Sequence, residues 1–146
     1  MTRLSMNNAV FIDTSAWIML LNKSEGFHED ASSIYNDILE SVFLITSNMV
    51  VGETYTWLRK KVGFASAFRY LSALDRKERL RQIEIMYSDA ILEKEAVNIL
   101  EQFKDQAFSF ADAVSFAVMQ KKGIRKAFAY DRHFLVAGFE LINRLS

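Results

Sequence analysis

Near its start the chain reads Ala9-Val10-Phe11-Ile12-Asp13-Thr14-Ser15-Ala16-Trp17, an apolar run that ends on an acidic residue and continues into a second apolar stretch. Four consecutive apolar residues predict a buried strand, and the polar triplet after them is typical of the turn that begins a helix. A strand that leads directly into a helix is the repeating unit of a parallel α/β sheet. The stretch therefore predicts an α/β fold, with Asp13 at the carboxyl end of its first strand.

Further apolar runs along the chain predict more strands, and segments of helical periodicity lie between them. The predicted strands cover residues 9–12, 42–45, 83–86, 127–130 and 139–142. The predicted helices cover about 16–21, 28–40, 48–62, 64–74, 89–103 and 109–123, with a short one after Asp131. We expect the charged residues 75–81 to be a solvated connection. The alternation favours a central, mostly parallel sheet flanked by helices.

Composition is that of one folded domain. The 146 residues contain no proline and no evident linker or repeat, so we expect a single domain over 1–146. Hydrophobic residues make up 51% and charged residues 25%, which argues against disorder and against a fibrous protein. Eighteen basic residues balance eighteen acidic ones, so the strongly positive field of many nucleic-acid binders is absent.

The chain shows no sign of export or of membrane insertion. It has no cysteine, which excludes disulfides and thiolate metal sites and favours a reducing cytoplasm. The residues before the first strand contain no hydrophobic signal core, and no apolar run reaches the roughly 20 residues needed to cross a bilayer. We therefore expect a cytoplasmic protein with no membrane partner.

Four acidic residues occupy positions where a carboxylate is unusual. Asp13 and Asp131 follow predicted strands, where ligands bind in open parallel sheets, although each could simply cap the next helix. Glu53 shares a helical stripe with apolar residues, unless it lies at a helix edge and reaches water. Asp112 follows Ser109 at capping-box spacing, a structural role that is compatible with a site at the helix end. Asp89 has similar surroundings, but a capping role is preferred there.

Four converging carboxylates would repel one another, because two unit charges about 4 Å apart cost on the order of 4 kcal/mol at an effective dielectric of about 20. Binding of a cation or uptake of protons would relieve that repulsion. Oxygen ligands without thiolates point to Mg²⁺ or Mn²⁺ rather than zinc. The sequence therefore predicts a metal site that contains Asp13, Glu53, Asp112 and Asp131.

The fragments that carry these acids resemble the PIN-domain family of metal-dependent ribonucleases, and within it the VapC-type toxins of toxin–antitoxin systems. The resemblance rests on Phe11-Ile12-Asp13-Thr14-Ser15-Ala16-Trp17, Val50-Val51-Gly52-Glu53-Thr54, Ser109-Phe110-Ala111-Asp112-Ala113, and Asp131-Arg132-His133-Phe134 with Gly138-Phe139. It covers nearly the whole chain. It implies a PIN-like fold in which the four acids form a catalytic, metal-binding pocket supported by Ser15. One departure is Ala129, where the family often has Thr or Ser.

The resemblance implies an endoribonuclease that hydrolyses RNA phosphodiesters with Mg²⁺ or Mn²⁺, acting as the toxin of a VapBC-like pair. Asp13 and Asp112 would hold a first ion, with Glu53 and Asp131 completing the pocket or holding a second. The metal would orient and acidify the attacking water. Expected partners are RNA, a second copy in a homodimer, and an antitoxin segment in an apolar groove.

RNA contacts must come from local features, because the net charge is zero. Arg132 and His133 are the preferred candidates, since they adjoin Asp131. The other basic clusters are more simply explained as solvated faces. Trp17 and Trp57 could stack on bases, although their apolar spacing favours core packing.

Three alternatives remain open. The protein could be a PIN-domain RNA-processing nuclease outside a toxin–antitoxin pair, or a catalytically weak PIN-fold binding module, which the Ala129 departure would suit. The third is a phosphorylatable receiver, which also uses strand-end aspartates and Mg²⁺. A receiver needs paired acids after its first strand and a lysine near its last, whereas this chain has Asp13 followed by Thr14, and Asp131 in place of the lysine.

Overall fold

The computed structural model describes residues 8–143, which form a five-stranded sheet flanked by seven helices. In chain order the elements are β1 (Ala9–Ile12), α1 (Thr14–Leu21), α2 (His28–Ile38), β2 (Phe43–Ser47), α3 (Asn48–Lys61), α4 (Phe64–Arg79), β3 (Ile83–Met86), α5 (Ala90–Gln102), α6 (Phe110–Lys122), β4 (Lys126–Phe128), α7 (His133–Val136) and β5 (Glu140–Ile142). Residues 1–7, where no signal segment is predicted, and residues 144–146 of the predicted single domain lie outside the described residues. Within the described part, no helix has the length and apolar character needed to cross a membrane.

The sheet has the strand order β3-β2-β1-β4-β5, and every neighbouring pair is parallel. Val10 of β1 is in register with Leu44 on one side and Lys126 on the other. The chain builds outward from β1 through β2 and β3 and then returns to the opposite side of β1. In such sheets the crevice beyond the strand ends at this reversal is where ligands bind. The fold therefore confirms the predicted parallel sheet and brings the ends of β1 and β4 together.

Aromatic side chains form the centre of the core beneath this edge. Phe11 of β1, Phe116 of α6, Phe128 of β4 and Phe134 of α7 are all fully buried. The Phe116 ring meets the Phe134 ring edge to face at 5.0 Å between centroids, and Phe134 lies 6.4 Å from Phe11. The helix α7 has only four residues, and Phe134 is its buried residue, so this side chain attaches α7 to the core.

The predicted connection over residues 75–81 is wrong, since α4 continues to Arg79. Tyr70 and Leu74 are buried and keep the helix packed, while Asp75 accepts a hydrogen bond from Arg79 Nε at 3.1 Å, one turn later. Charged residues of this kind form helices readily when one face is packed, so a run of charge did not mark the end of the helix.

Several strand boundaries also differ from those predicted, and the largest differences, of two residues, are at the ends of β2 and β4. β2 extends to Ser47, whose side chain accepts a hydrogen bond from Val50 N and caps α3 as expected. β4 ends at Phe128 rather than at residue 130, because Tyr130 N donates to Ser15 Oγ and leaves the strand ladder.

Candidate metal centre

Asp13 is buried at the end of β1, where it is the N-cap of α1. Its Oδ2 accepts hydrogen bonds from Ser15 N at 3.2 Å and from Ser15 Oγ at 2.7 Å. The same Ser15 hydroxyl accepts a hydrogen bond from Tyr130 N at 2.9 Å. Ser15 therefore joins the ends of β1 and β4 while it orients Asp13.

Asp112 belongs to a capping box at the start of α6. Its backbone N–H donates to Ser109 Oγ at 3.0 Å, and Ser109 N donates back to Asp112 Oδ2 at 3.0 Å. That same carboxylate oxygen lies 3.1 Å from His133 Nδ1, and the side chain is 12% exposed. The capping role foreseen for Asp112 is present, and it leaves the carboxylate turned toward other site residues.

Asp131 and His133 lie close to Asp112, at the start of α7. His133 N donates to Asp131 Oδ1 at 2.9 Å, and His133 Nδ1 lies 3.4 Å from the same oxygen. One ligand atom each from Asp112, Asp131 and His133 lies within 4.8 Å of the others, a spacing that could hold a metal ion. Arg132 is exposed between them in the chain. The sequence favoured His133 as an RNA contact and did not foresee it as a possible ligand.

Glu53 does not share the buried stripe of its helix, so that expectation is wrong. The buried positions of α3 are Val50, Thr54 and Leu58, and Glu53 is an exposed residue beside them. Thr14 Oγ1, at the start of α1, donates a hydrogen bond of 3.4 Å to Glu53 Oε1. The alternative of a helix edge that reaches water therefore describes this glutamate, which nevertheless contacts Thr14, the residue that follows Asp13 in the chain.

Electrostatics connect three of the four predicted carboxylates. Burial raises the pKa of Asp13 to about 6, against the lowering effect of its Ser15 hydrogen bonds, and the Asp112 charge raises it further. Partial burial raises the pKa of Glu53, and Asp112 again adds to the effect, while Thr14 opposes it. Asp112 is therefore the common neighbour of Asp13, Glu53, Asp131 and His133.

The donor chemistry of these side chains suits a divalent cation. Within residues 8–143, neither Asp13 nor Glu53 forms an ion pair with a basic side chain, so no such partner of their own offsets their repulsion from Asp112. The donors are carboxylate oxygens with one imidazole nitrogen, and the chain has no thiolate. Such a set fits Mg²⁺ or Mn²⁺, although His133 departs from the all-oxygen shell that the sequence predicts.

Burial of Asp13 predicts a pH dependence of stability in the metal-free protein. Because its pKa rises from 3.8 to about 6 on folding, the folded chain binds the proton more tightly. The resulting stabilisation is complete below about pH 4 and is lost as pH rises through about 6, a change on the order of 3 kcal/mol. Urea denaturation in EDTA should show this fall, and Asp13→Asn should lack it. A variant at the exposed Asp105 should keep it, and equal pH profiles for Asp13→Asn and wild type would contradict the explanation.

Comparison with known proteins decides the family. The family model of the PIN domain matches residues 10–140, which is nearly the whole chain. This chain belongs to the PIN domain family. This chain is 37% identical over 130 residues to the 23S rRNA-specific endonuclease VapC20 of Mycobacterium tuberculosis strain H37Rv. The alignment covers 89% of this chain and 95% of VapC20.

Solved structures agree with that assignment. This chain matches the crystal structure of Mycobacterium tuberculosis VapC20, described as a Sarcin-Ricin loop cleaving toxin, with a TM-score of 0.82 and 34% identity. The match covers 92% of this chain and 98% of VapC20. VapBC2 from Rickettsia felis, bound to a DNA fragment from its promoter, matches with a TM-score of 0.67 and 14% identity over 92% and 97% of the two chains. The resemblance seen in the sequence is confirmed, and the receiver alternative has no support.

Proposed function

We propose that this PIN domain is a metal-dependent endoribonuclease that hydrolyses RNA phosphodiesters and acts as the toxin of a VapBC-like pair. The observation that carries the proposal is the position of Asp112, whose charge acts on Asp13 and Glu53 and whose carboxylate lies at metal-ligand spacing from Asp131 and His133. RNA is the proposed substrate because VapC20, the relative described above, is a ribosomal RNA endonuclease.

In this proposal Asp13, Glu53, Asp112 and Asp131 hold the Mg²⁺ or Mn²⁺ ions, and His133 is available as a further ligand. When bound, such an ion polarises phosphoryl oxygens and lowers the pKa of a coordinated water. Ser15 orients Asp13 by donating to Oδ2. Without metal, a proton on His133 Nδ1 would hold the carboxylates of Asp112 and Asp131 together, and that nitrogen would have to lose the proton before it could bind an ion.

The residues around the site also suggest how RNA is placed. Arg132 is exposed beside Asp131, where its guanidinium can meet a phosphate. His133 is only partly exposed, with its ring edge-on to Phe108 at 5.0 Å. We therefore assign phosphate contact to Arg132, whereas His133 acts mainly within the carboxylate group.

Ala129 is compatible with an active site. It is fully buried, and its carbonyl oxygen accepts a hydrogen bond from Asn143 Nδ2 at 2.8 Å. On the next residue, Tyr130 N is held by Ser15 Oγ. The end of β4 is thus fixed without a hydroxyl at position 129, which argues against the catalytically weak alternative.

The proposed partners are an antitoxin and a second copy of the chain, and the proposed location is the cytoplasm. An apolar cleft of about 550 Å³ contains Trp17, Leu20, Tyr35, Tyr70 and Leu74, and is a candidate seat for an antitoxin segment. The likeness to VapBC2 supports an antitoxin partner for this fold.

The alternative of an RNA-processing nuclease predicts no toxicity. Induction of the protein alone, followed by measurement of growth and of RNA integrity, therefore separates the two roles.

Metal binding can be measured without RNA. Titration of Mn²⁺ into EDTA-stripped protein, followed by calorimetry, should give saturable binding and a higher unfolding temperature, because the cation binds only the folded site. Asp112→Asn should lose most of the binding heat, whereas Asp105→Asn should behave as wild type. Absence of saturable binding in the wild type would contradict a metal-dependent nuclease.

A further inference from the structure

A cleft of about 640 Å³ lies against one face of α3 and begins at the candidate metal centre. Glu53 and Thr14 line it, so it continues directly from the carboxylate group. Its other principal residues are Asn48, Gly52, Trp57 and Lys60. We call this feature the α3 cleft. Glu53 and Lys60 are separated by roughly 10 Å along the helix axis, at about 1.5 Å per residue.

Gly52 keeps the wall of the α3 cleft open at the position next to Glu53. It lies inside a 14-residue helix, where glycine is less favourable than most other residues. A Cβ built on it would meet no atom within 4 Å, so packing within the described protein does not require glycine there. A glycine of this kind suits the close approach of a ligand to the helix backbone.

The remaining residues of the α3 cleft have the chemistry that an unpaired nucleotide needs. Trp57 is partly buried against the core and also lines the cleft, whereas Trp17 is only 3% exposed. Asn48 is held in place because its Oδ1 accepts a hydrogen bond from Ser88 N at 2.9 Å. Lys60 is exposed and supplies a positive charge at the end far from Glu53. Aromatic rings that accept bases beside basic side chains are typical of single-strand binding sites.

We propose that the α3 cleft binds an unpaired nucleotide of the RNA beside the cleaved phosphodiester, with Trp57 stacking on the base and Lys60 contacting a phosphate. The inference rests on the proposed ribonuclease function, because the cleft would place RNA next to the carboxylates that are proposed to hold the metal. It assigns the chain a substrate-positioning surface on α3. It also favours Trp57 over Trp17 for base stacking, and it gives a role to Lys60, which lies in one of the basic clusters that the sequence explained as solvated faces.

Two substitutions test the contacts with a fluorescein-labelled single-stranded RNA, whose binding is followed by anisotropy in EDTA. Trp57→Ala should weaken binding about 10-fold, as expected for loss of one base stack. Phe68→Ala, which removes an exposed aromatic ring elsewhere on the surface, should change little. Lys60→Gln should reduce the slope of log affinity against log salt by about 0.7, the contribution of one phosphate contact. Lys61→Gln, an exposed neighbour outside the cleft, is the matched control.

Gly52→Leu separates blockage of the α3 cleft from loss of folding. Leucine is a good helix former, so the variant should unfold at the same or a higher temperature than wild type. Its side chain would enter the cleft, so RNA binding should still fall. Kinetics with Mn²⁺ should show a raised KM in all three cleft variants, with Mn²⁺ affinity unchanged.

The outcomes distinguish this inference from the proposed function. One outcome is that Asp112→Asn abolishes the cleavage seen in wild type, while Trp57→Ala and Gly52→Leu bind RNA normally. This outcome would overturn the nucleotide site in the α3 cleft and leave the proposed nuclease standing. Weakened binding in the cleft variants without any metal-dependent cleavage by the wild type would support the cleft and overturn the nuclease. A change of oligomeric state in Trp57→Ala, seen by light scattering, would make the cleft a subunit contact and would also overturn the inference.

Discussion

Replacement of Asp112 by asparagine is expected to lower metal-dependent RNA cleavage by roughly 100-fold or more, the scale on which loss of a charged group at a reacting centre acts. Asp112 adds to the charge felt by Asp13 and Glu53 and lies within metal-ligand spacing of Asp131 and His133. Loss of its negative charge therefore affects all four of these neighbouring side chains. Cleavage of a labelled single-stranded RNA with Mn²⁺ measures the effect.

Asp89→Asn is the matched control for this substitution. Asp89 is the N-cap of α5, and its Oδ1 accepts a hydrogen bond from Leu92 N at 2.8 Å, so its carboxylate, like that of Asp112, accepts a backbone N–H at the start of a helix. It is absent from the group of possible metal ligands found among residues 8–143. The amide oxygen of asparagine can accept the same backbone hydrogen bond at either position, so both variants should fold. If Asp112→Asn cleaved RNA as fast as Asp89→Asn, the assignment of the metal centre would be wrong.

Replacement of Phe134 by alanine is expected to destabilise the protein by about 3–5 kcal/mol, the usual cost of truncating a buried phenylalanine. The ring is fully buried and packs against Phe11 and Phe116. Because it anchors the four-residue α7, the change should also loosen Asp131 and His133. Urea denaturation gives the loss of stability, and RNA cleavage well below the denaturation midpoint gives the loss of activity.

Val136→Ala serves as the control, since Val136 lies in the same short helix but is 45% exposed. It should change stability by less than about 1 kcal/mol. Phe134→Ala and Val136→Ala of equal stability would show that α7 is not held by its phenylalanine. Normal cleavage by a clearly destabilised Phe134→Ala would show that α7 does not position the site.

Sequence alone predicted the parts of the site that follow from local rules. Asp13 and Asp131 were proposed because each follows a strand, and parallel strands end at the same edge of a sheet. Asp112 was proposed because capping-box spacing places it in the first turn of α6. The parallel sheet itself followed from the alternation of apolar runs and helical segments.

The errors arose where contacts between distant segments decide the outcome. Helical periodicity gave Glu53 a buried position, but exposure depends on which neighbouring elements cover that side of α3. His133 reaches Asp112 across 21 residues of sequence, a proximity that spacing could not reveal. The Thr14 contact with Glu53 spans 39 residues and was missed for the same reason.

The hydrogen bond from Tyr130 N to Ser15 Oγ joins positions 115 residues apart, which sets when the site can exist during synthesis. A growing chain that has not yet reached β4 can form β1, β2 and β3, but one edge of β1 stays unpaired and Asp131 and His133 are missing. The carboxylate group is completed only once β4 and α7 have been synthesised and β4 has paired with β1. A copy that ends before β4 therefore lacks the complete carboxylate group.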